Sequence, residues 1–414
     1  MKQFEVPLIY RSPLISIVKK KRKLEDKMKK DFSPTLLDFG VVQFYLSRHF
    51  GFCYGVENAI EIAFRTIEEN PDKRIFLLSE MIHNPHVNED LKRRGVRFLQ
   101  DTYGKELIGL DEITSNDIVL IPAFGTTLDV EEKLKIKGIE VEKYNTTCPF
   151  VEKVWNRSEQ IANKGYSIVI HGKPKHEETR ATFSHSSSKA PSVIVNDMNE
   201  TIELGKYITG EKKADEFYTE FGGRYSQGFD ITKDLQRLGV VNQTTQLASD
   251  TQAISDYLRQ LMMDYYHLND FNIGERFADT RDTLCYATND NQTAVTRMLN
   301  TEADLAIVVG GYNSSNTTHL VELCEKVLPT YFIKDEEKIL NANEILHFDY
   351  HHKQEVHSIS FLPQKQPLKI LITSGASCPD ALVEGVIRKV ADFYGVGWKV
   401  DELIKELALT DFES

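Results

Sequence analysis

Three cysteines in this chain stand at the start of three segments that repeat one plan. Each is followed by a run with helical periodicity, a short β-rich run and a loop of His, Asn, Ser or Thr. The cysteines are Cys53, Cys148 and Cys285, and the polar loops reach His83, His176 and Ser314, which lie 30, 28 and 29 residues further on. This spacing predicts three copies of one unit. If the copies pack around a pseudo-threefold axis, three thiolates meet at its centre, which suits a metal cluster.

The order of apolar runs predicts the fold class. Short runs at residues 75–78, 167–170 and 305–309 are typical of buried parallel strands, and a second strand is predicted in each copy at 118–121, 239–241 and 370–372. Strands that alternate with helices predict an α/β fold with mostly parallel sheets, here in three similar lobes. In such sheets ligands bind beyond the carboxyl ends of the strands, where the polar loops fall.

The copies also set the predicted domain boundaries. We expect an N-terminal extension over 1–40, lobes over 41–145, 146–282 and 283–392, and a C-terminal tail over 393–414. Residues 196–233 are charged, aromatic and glycine-bearing, which indicates an insertion in the second lobe. The basic block at residues 19–23 predicts a solvated, partly helical tail, and the alternative is a nuclear-import or anion-binding patch.

Composition narrows the class of protein. The net charge of −12 argues against broad nucleic-acid binding. No apolar run approaches the roughly 18 residues that span a bilayer, so we expect no membrane partner. Five cysteines at distant, irregular positions do not resemble a secreted disulfide framework. We therefore expect a cytoplasmic location, with a plastid as the less favoured alternative.

One cysteine in each lobe favours a metal group where the lobes meet. The sequence has none of the Cys-x-x-Cys pairs that are typical of structural zinc sites and ferredoxins. Three thiolates bind zinc together with a fourth ligand, or they bind three irons of a cubane cluster and leave one iron open, as catalysis requires. Of the two other cysteines, Cys324 is predicted to lie in the core, and nothing repeats around Cys378.

Hydroxyl and amide groups gather at two predicted helix starts. Residues 313–316 and 375–377 present hydroxyl and backbone N–H donors that can hold phosphate oxygens. The alternative is that these residues only cap their helices.

A carboxylate follows the second polar loop. Glu178 lies two residues after His176 and is placed to deliver protons to a substrate. Glu177 is the competing candidate, and spacing alone does not choose between them. Thr244 is expected to lie near His176 and Glu178 if the strand before it lies beside the strand before His176.

Eight motifs occur in the order in which they occur in a known family. They are GFCYGV from Gly51, HNP from His83, TCP from Thr147, HEET from His176, NQTT from Asn242, CYAT from Cys285, NSSN from Asn313 and SGAS from Ser374. Over about residues 41–390 the chain resembles the LytB/IspH family of 4-hydroxy-3-methylbut-2-enyl diphosphate reductases.

The resemblance implies a cloverleaf of three α/β lobes around one [4Fe–4S] cluster per chain, held by Cys53, Cys148 and Cys285. It implies that the diphosphate is held by His83, Ser314, Ser315, Asn316 and Ser377. It selects Glu178 rather than Glu177 as the proton donor, with Thr244 and His176 beside it.

The activity that the resemblance implies is the last step of the methylerythritol phosphate route to isoprenoids. Two electrons and two protons remove the hydroxyl group of (E)-4-hydroxy-3-methylbut-2-enyl diphosphate, which gives isopentenyl and dimethylallyl diphosphates. A ferredoxin or flavodoxin supplies the electrons, and the protein is a monomer or a homodimer.

One position departs from the family pattern. The best-known bacterial members carry a histidine that helps to hold the diphosphate where this chain has Phe124. A phenyl ring donates no hydrogen bond, so we expect Thr126 or Thr127 to substitute for it. Phe124, the long N-terminal extension and the insertion resemble the plant and cyanobacterial branch.

Three other functions are weighed against the reductase. A [4Fe–4S]-dependent hydro-lyase also uses three cysteines and an open iron, but it needs no reductant. An iron–sulfur electron carrier or sensor usually has a ligand on every iron. A zinc-stabilised structural protein contains no acid-labile sulfide.

Overall fold

The computed structural model describes residues 4–28, 30–278 and 283–410 of the chain. The helices are α1 (Pro13–Glu25), α2 (Tyr54–Glu69), α3 (Pro85–Arg93), α4 (Leu128–Ile136), α5 (Pro149–Ala162), α6 (Glu177–Ser187), α7 (Met198–Ile208), α8 (Ala214–Glu220), α9 (Ile231–Asp234), α10 (Ala248–Tyr265), α11 (Tyr286–Met298), α12 (Ser315–Glu325), α13 (Asp380–Phe393) and α14 (Trp398–Thr410). The strands are β1 (Thr35–Asp38), β2 (Val42–Leu46), β3 (Ile75–Leu77), β4 (Arg97–Phe98), β5 (Ile118–Leu120), β6 (Ser167–His171), β7 (Ser192–Val195), β8 (Leu238–Asn242), β9 (Leu305–Val309), β10 (Thr330–Ile333), β11 (Glu344–Asp349), β12 (Gln354–Ile359) and β13 (Leu368–Ser374).

The first of two compact units is built from the described parts of Met1–Glu57, His83–Val87 and Tyr286–Ser414. Its main sheet has the order β1-β2-β13-β9-β10, in which β1 is antiparallel to β2 and the other neighbours are parallel. In the register of this sheet, Ile370 of the central strand β13 lies between Phe44 and Leu305. A two-stranded antiparallel hairpin, β11-β12, belongs to the same unit.

The second unit is built from the described parts of Asn58–Ile82 and Asn88–Cys285. It contains two three-stranded parallel sheets, with the orders β4-β3-β5 and β7-β6-β8. All residues of β3, β5, β6 and β8 are buried, which is typical of parallel strands covered on both faces.

These sheets confirm the predicted α/β fold with mostly parallel strands. The two strands predicted in each copy are neighbours and run parallel, as the pairs β3/β5, β6/β8 and β9/β13. The pairing of β2 with β13 was not predicted, because β2 precedes the first cysteine and lies outside the repeated plan. The cloverleaf arrangement and the predicted domain boundaries stay predictions.

The prediction of a solvated N-terminal tail is wrong. Residues 13–25 form the predicted helix, but Leu14, Ile15 and Val18 of α1 are buried in the core of the first unit. Ser12 caps this helix, because its hydroxyl accepts a hydrogen bond from the Ile15 N–H at 2.8 Å. The lysine-rich face of α1 is exposed, so the helix is amphipathic and part of the fold.

Residues 196–233 are folded, with the helices α7, α8 and α9. Phe217, Phe221 and Phe229 bring aromatic rings into the core of the second unit. In the described part of the chain, no helix is both long enough and apolar enough to cross a bilayer.

Candidate functional site

Each of the three repeated cysteines directly precedes a helix, as the sequence predicted. Cys53 precedes α2, Cys148 is the residue before α5, and Cys285 precedes α11. Pro149 occupies the first position of α5, where a missing N–H costs no hydrogen bond. All three cysteines are half-buried, and none is in a disulfide. A helix N-terminus favours a thiolate, which is the form that binds a metal.

The surroundings of Cys148 fit a positively charged group. Burial, together with the nearby negative charges of Cys285 and Glu178, raises the pKa of this thiol to about 12, although the N–H groups of Phe150 and Val151 act in the opposite direction. A thiolate therefore forms here when a cation balances it. Iron of a cluster would supply that charge, and thiolates are the donors that iron–sulfur clusters prefer.

Among the described residues, no group of three or more His, Cys, Asp or Glu side chains is arranged to hold one metal ion. The assignment of the three cysteines as cluster ligands stays a prediction.

The second unit brings together the residues predicted to handle protons. The Thr244 N–H donates to Glu178 Oε1 at 2.5 Å, and the Glu178 N–H donates to His176 Nδ1 at 3.2 Å. His176 is the cap of α6, and Glu178 is only 1% exposed. The Cys285 N–H donates to the Thr244 carbonyl at 3.3 Å. Thr244 therefore links the carboxylate to one of the cysteines.

Gln243 is a positioning residue that the sequence analysis missed. It is fully buried, and its Oε1 accepts hydrogen bonds from Thr179 Oγ1 at 3.0 Å and from the Lys173 N–H at 3.3 Å. Its Nε2 donates to Thr245 Oγ1 at 2.7 Å. Gln243 thus ties the end of β8 to the start of α6. A buried amide at a strand end was the available signal, because such a group needs partners.

Phe124 lies against the histidine of this group. Its ring meets the His176 ring edge to face, with the centroids 5.9 Å apart. The residues proposed to replace the missing histidine, Thr126 and Thr127, line a polar cavity of about 50 Å³ together with Glu177 and Arg180. Glu177 therefore lines this cavity, whereas the Glu178 carboxylate is hydrogen-bonded to the Thr244 N–H. The replacement of the missing histidine by Thr126 or Thr127 stays a prediction.

The first unit brings together the residues predicted to hold the diphosphate. Ser314 caps α12, where its hydroxyl accepts a hydrogen bond from the Thr317 N–H at 3.2 Å. Ser315 and Asn316 form the first turn, and both are buried. The Ala376 N–H donates to Asn316 Oδ1 at 2.9 Å, which connects the end of β13 to this turn.

His83 and Ser377 lie at the same edge of the first unit. The Ser377 hydroxyl donates to the His83 carbonyl at 3.1 Å, and both residues are buried. The Cys53 N–H donates to the Ala376 carbonyl at 3.1 Å, so Ala376 contacts both the cysteine loop and α12. Gly375 makes this approach possible, because a Cβ at this position would overlap Thr317 Oγ1.

The remaining two cysteines lie in the core. Cys324 is fully buried among apolar side chains, which confirms the prediction for it. Cys378 is fully buried in the core of the first unit, and burial raises the pKa of its thiol. Both are suitable controls for the three half-buried cysteines.

Comparison with known proteins identifies the family. A family model described as LytB protein matches residues 44–391. A 4-hydroxy-3-methylbut-2-enyl diphosphate reductase of Picosynechococcus sp. is 39% identical over 355 residues, which cover 85% of this chain and 84% of that protein. The enzyme of the same name from Trichodesmium erythraeum is 37% identical over 86% of each chain.

Solved structures show the same fold. A solved structure of an (E)-4-hydroxy-3-methyl-but-2-enyl diphosphate reductase matches with a TM-score of 0.51 at 23% identity, over 84% of this chain and 98% of that one. An E-1-hydroxy-2-methyl-but-2-enyl-4-diphosphate reductase from Plasmodium falciparum matches with a TM-score of 0.59 at 22% identity, over 85% and 88%. Together with the sequence matches, this likeness leads to one conclusion: the chain belongs to the LytB protein family.

Proposed function

We propose that this protein is an oxidoreductase that removes the hydroxyl group of (E)-4-hydroxy-3-methylbut-2-enyl diphosphate. The products are isopentenyl diphosphate and dimethylallyl diphosphate, at the last step of the methylerythritol phosphate pathway. The carbon–oxygen bond breaks, two electrons and two protons are taken up, and the oxygen leaves as water. The family membership supports this reaction, and the arrangement of residues 176–178 and 244 supports the roles that follow.

The first unit binds the diphosphate. The N–H groups in the first turn of α12 carry partial positive charge and attract phosphate oxygens. Ser315, Asn316 and Ser377 add neutral hydroxyl and amide donors, and His83 lies beside Ser377. This end of the substrate is therefore held mainly by directed hydrogen bonds, which fix its orientation.

Glu178 delivers a proton to the substrate. Its Oε1 is engaged by the Thr244 N–H, so Oε2 is the oxygen that carries the acidic proton. Because the carboxyl group is almost fully buried, water does not compete for this proton. The hydrogen bond from the Thr244 backbone keeps the carboxyl group in one orientation throughout the reaction.

His176 acts as a neutral hydrogen-bond donor. Its Nδ1 accepts the Glu178 N–H, and this assigns the hydrogen of the neutral ring to Nε2. The Phe124 ring meets the His176 ring edge to face and limits its rotation. Nε2–H is thus held in one direction, where it binds an oxygen of the substrate.

Cys53, Cys148 and Cys285 are the residues that would hold a [4Fe–4S] cluster, which when bound supplies electrons singly and an iron without a protein ligand. The half-buried thiols and the charge around Cys148 support this assignment. We propose a ferredoxin or a flavodoxin as the electron donor. A monomeric or homodimeric state and a cytoplasmic location are also proposals.

The match to the LytB family over residues 44–391 is the observation that carries the proposal. The test is an anaerobic assay of reconstituted protein with the diphosphate substrate, with and without a one-electron reductant. We expect both five-carbon diphosphates to form, detected by mass spectrometry, only when reductant is present. Turnover without reductant would indicate a hydro-lyase. Purified protein that contains zinc and no acid-labile sulfide would refute the cluster.

A further inference from the structure

The segment before the family-matched region lies along the loop that carries Cys53. We call residues 4–26 the N-terminal segment and residues 48–54 the Cys53 loop. The LytB match begins at residue 44, so the loop lies inside it and the segment outside it. Both belong to the first unit. Contacts between them run in opposite chain directions, so that earlier residues of the segment meet later residues of the loop.

Aromatic contacts hold the loop on both sides of Cys53. The Phe4 and Tyr54 rings meet edge to face, with the centroids 4.8 Å apart at an interplanar angle of 76°. The Tyr10 and Phe52 rings meet in the same way, at 5.9 Å and 71°. Phe4 and Tyr10 are 6% and 5% exposed, so each ring is packed on most of its surface. The two neighbours of Cys53 in the chain are therefore both held by the N-terminal segment.

Nearer the start of the Cys53 loop, the contacts with the N-terminal segment involve charged side chains. Lys19 Nζ lies 4.7 Å from the centre of the Phe50 ring and 2.7 Å from Asp380 Oδ1. Gly51 has a φ of +79°, and a Cβ at this position would overlap the Asp380 carboxylate. The loop thus makes a left-handed turn against a fixed ion pair two residues before Cys53.

A further contact holds Arg48 at the beginning of the loop. Its guanidinium donates to the Arg22 carbonyl at 3.4 Å and lies 3.8 Å from Asp26 Oδ2. Every second residue of the loop, from Arg48 to Tyr54, thus contacts the segment. The segment therefore contacts the loop along its whole length, on both sides of the turn at Gly51.

The segment is itself fixed to the core. Leu14 and Ile15 of α1 are fully buried, and the Ser12 hydroxyl donates to the buried Glu384 carboxylate. The Leu14 N–H donates to the same carboxylate at 3.2 Å. Because these anchors do not involve the loop, the segment is a firm surface against which the loop is held.

We propose that the N-terminal segment is a positioning element for Cys53, and that it slows the loss of the group that Cys53 binds. This inference rests on the proposed role of Cys53 as a cluster ligand. The aromatic contacts on either side keep the thiol in place when no metal is bound, so the loop does not have to be ordered during metal binding. The same contacts limit the access of water and chelators to this ligand.

The test compares the reactivity of the cysteines in the full-length, metal-free protein. The variant Phe4→Ala/Tyr10→Ala removes both aromatic contacts, and Tyr10→Phe keeps the ring and serves as the matched control. Maleimide labelling of each cysteine is followed over time by mass spectrometry. We expect Cys53 to react about tenfold faster in the double variant, because an aromatic pair contributes up to about one tenfold step beyond its buried area. The rate for Cys148 serves as the internal reference and stays within twofold.

A second measurement follows the cluster. After reconstitution, an iron chelator is expected to remove iron about tenfold faster from the double variant than from Tyr10→Phe. Lys19→Met, which leaves both aromatic contacts in place, gives a smaller rise in Cys53 labelling and covers the case in which the double variant does not fold. Unchanged Cys53 labelling in these variants, or an equal rise at every cysteine, overturns the inference. Labelling needs no turnover, so this result is independent of whether the protein reduces the proposed substrate.

Discussion

Replacing Glu178 by glutamine separates its chemical role from its structural role. Glutamine keeps an acceptor oxygen for the Thr244 N–H, which donates to Oε1 at 2.5 Å, but it has no proton to deliver. General acid catalysis contributes about 10² to 10⁴ in rate. We therefore expect turnover to fall by this factor, which corresponds to about 3 to 5 kcal/mol of activation free energy.

The stability of the same variants gives the second half of the argument. Because Glu178→Gln retains the hydrogen bond, the free energy of unfolding should change by less than about 1 kcal/mol. Glu178→Ala leaves the Thr244 N–H without its carboxylate acceptor in a buried site and should cost about 1 to 3 kcal/mol. Denaturant unfolding of the metal-free proteins measures both values.

The assay is anaerobic turnover of reconstituted protein at equal iron content, followed by oxidation of a reduced viologen dye. Glu177→Gln is the matched control, because it makes the same chemical change one residue away, where the side chain lines the polar cavity. We expect this control to retain turnover within about threefold. If Glu178→Gln keeps turnover in that range at normal iron content, or if both variants lose it equally, Glu178 is not the proton donor.

Three further predictions test other parts of the structure. Cys285→Ser should lower the amount of iron bound after reconstitution, whereas Cys324→Ala should not, because Cys324 is buried in the core. An equal loss of iron in the two variants would contradict this prediction. Gly375→Ala should weaken substrate affinity about tenfold, because the new methyl group would overlap the threonine hydroxyl of α12 and displace the first turn of that helix. The control is Gly274→Ala, whose Cβ would have no atom within 4 Å, and its substrate affinity, measured by titration calorimetry, should equal that of the wild type. Burial alone would raise the pKa of Asp117, but hydrogen bonds from an arginine and a threonine lower it below the ordinary value. Its carboxylate therefore stabilises the fold above the unfolded pKa of about 3.9, and this contribution is lost as the pH falls below that value. Between pH 5 and pH 3 the free energy of unfolding, measured by denaturant unfolding, should fall less for Asp117→Asn than for the wild type. An equal fall in both proteins would refute the reasoning.

The parallel strands and the helix after each cysteine were predictable because both depend on local patterns. Apolar runs such as Leu305–Val309 indicate buried strands, and Pro149 directly after Cys148 marks a helix start. The joining of Thr244 to Glu178 followed from the rule that polar loops of parallel strands meet at one edge.

What could not be predicted depends on contacts between distant residues. Nothing in the local sequence of β2 indicates that it pairs with β13, which lies more than 300 residues further along the chain. The buried face of α1 was not predicted from the sequence, because the lysines of the basic block dominate the composition of residues 13–25. The aromatic contacts of Phe4 and Tyr10 require coordinates, since ring pairs leave no spacing pattern in the sequence.

The two units differ in the proposed tasks of their residues, and this has a consequence for how such an enzyme changes over time. Ser314, Ser315, Asn316 and Ser377 belong to the first unit, whereas Glu178 and Thr244 belong to the second. Substitutions at these four positions and at these two therefore fall in different stretches of the chain. The residues that bind the substrate can therefore stay the same in a lineage while those that transfer protons change. Substitution rates can be compared between the two units rather than over the whole chain.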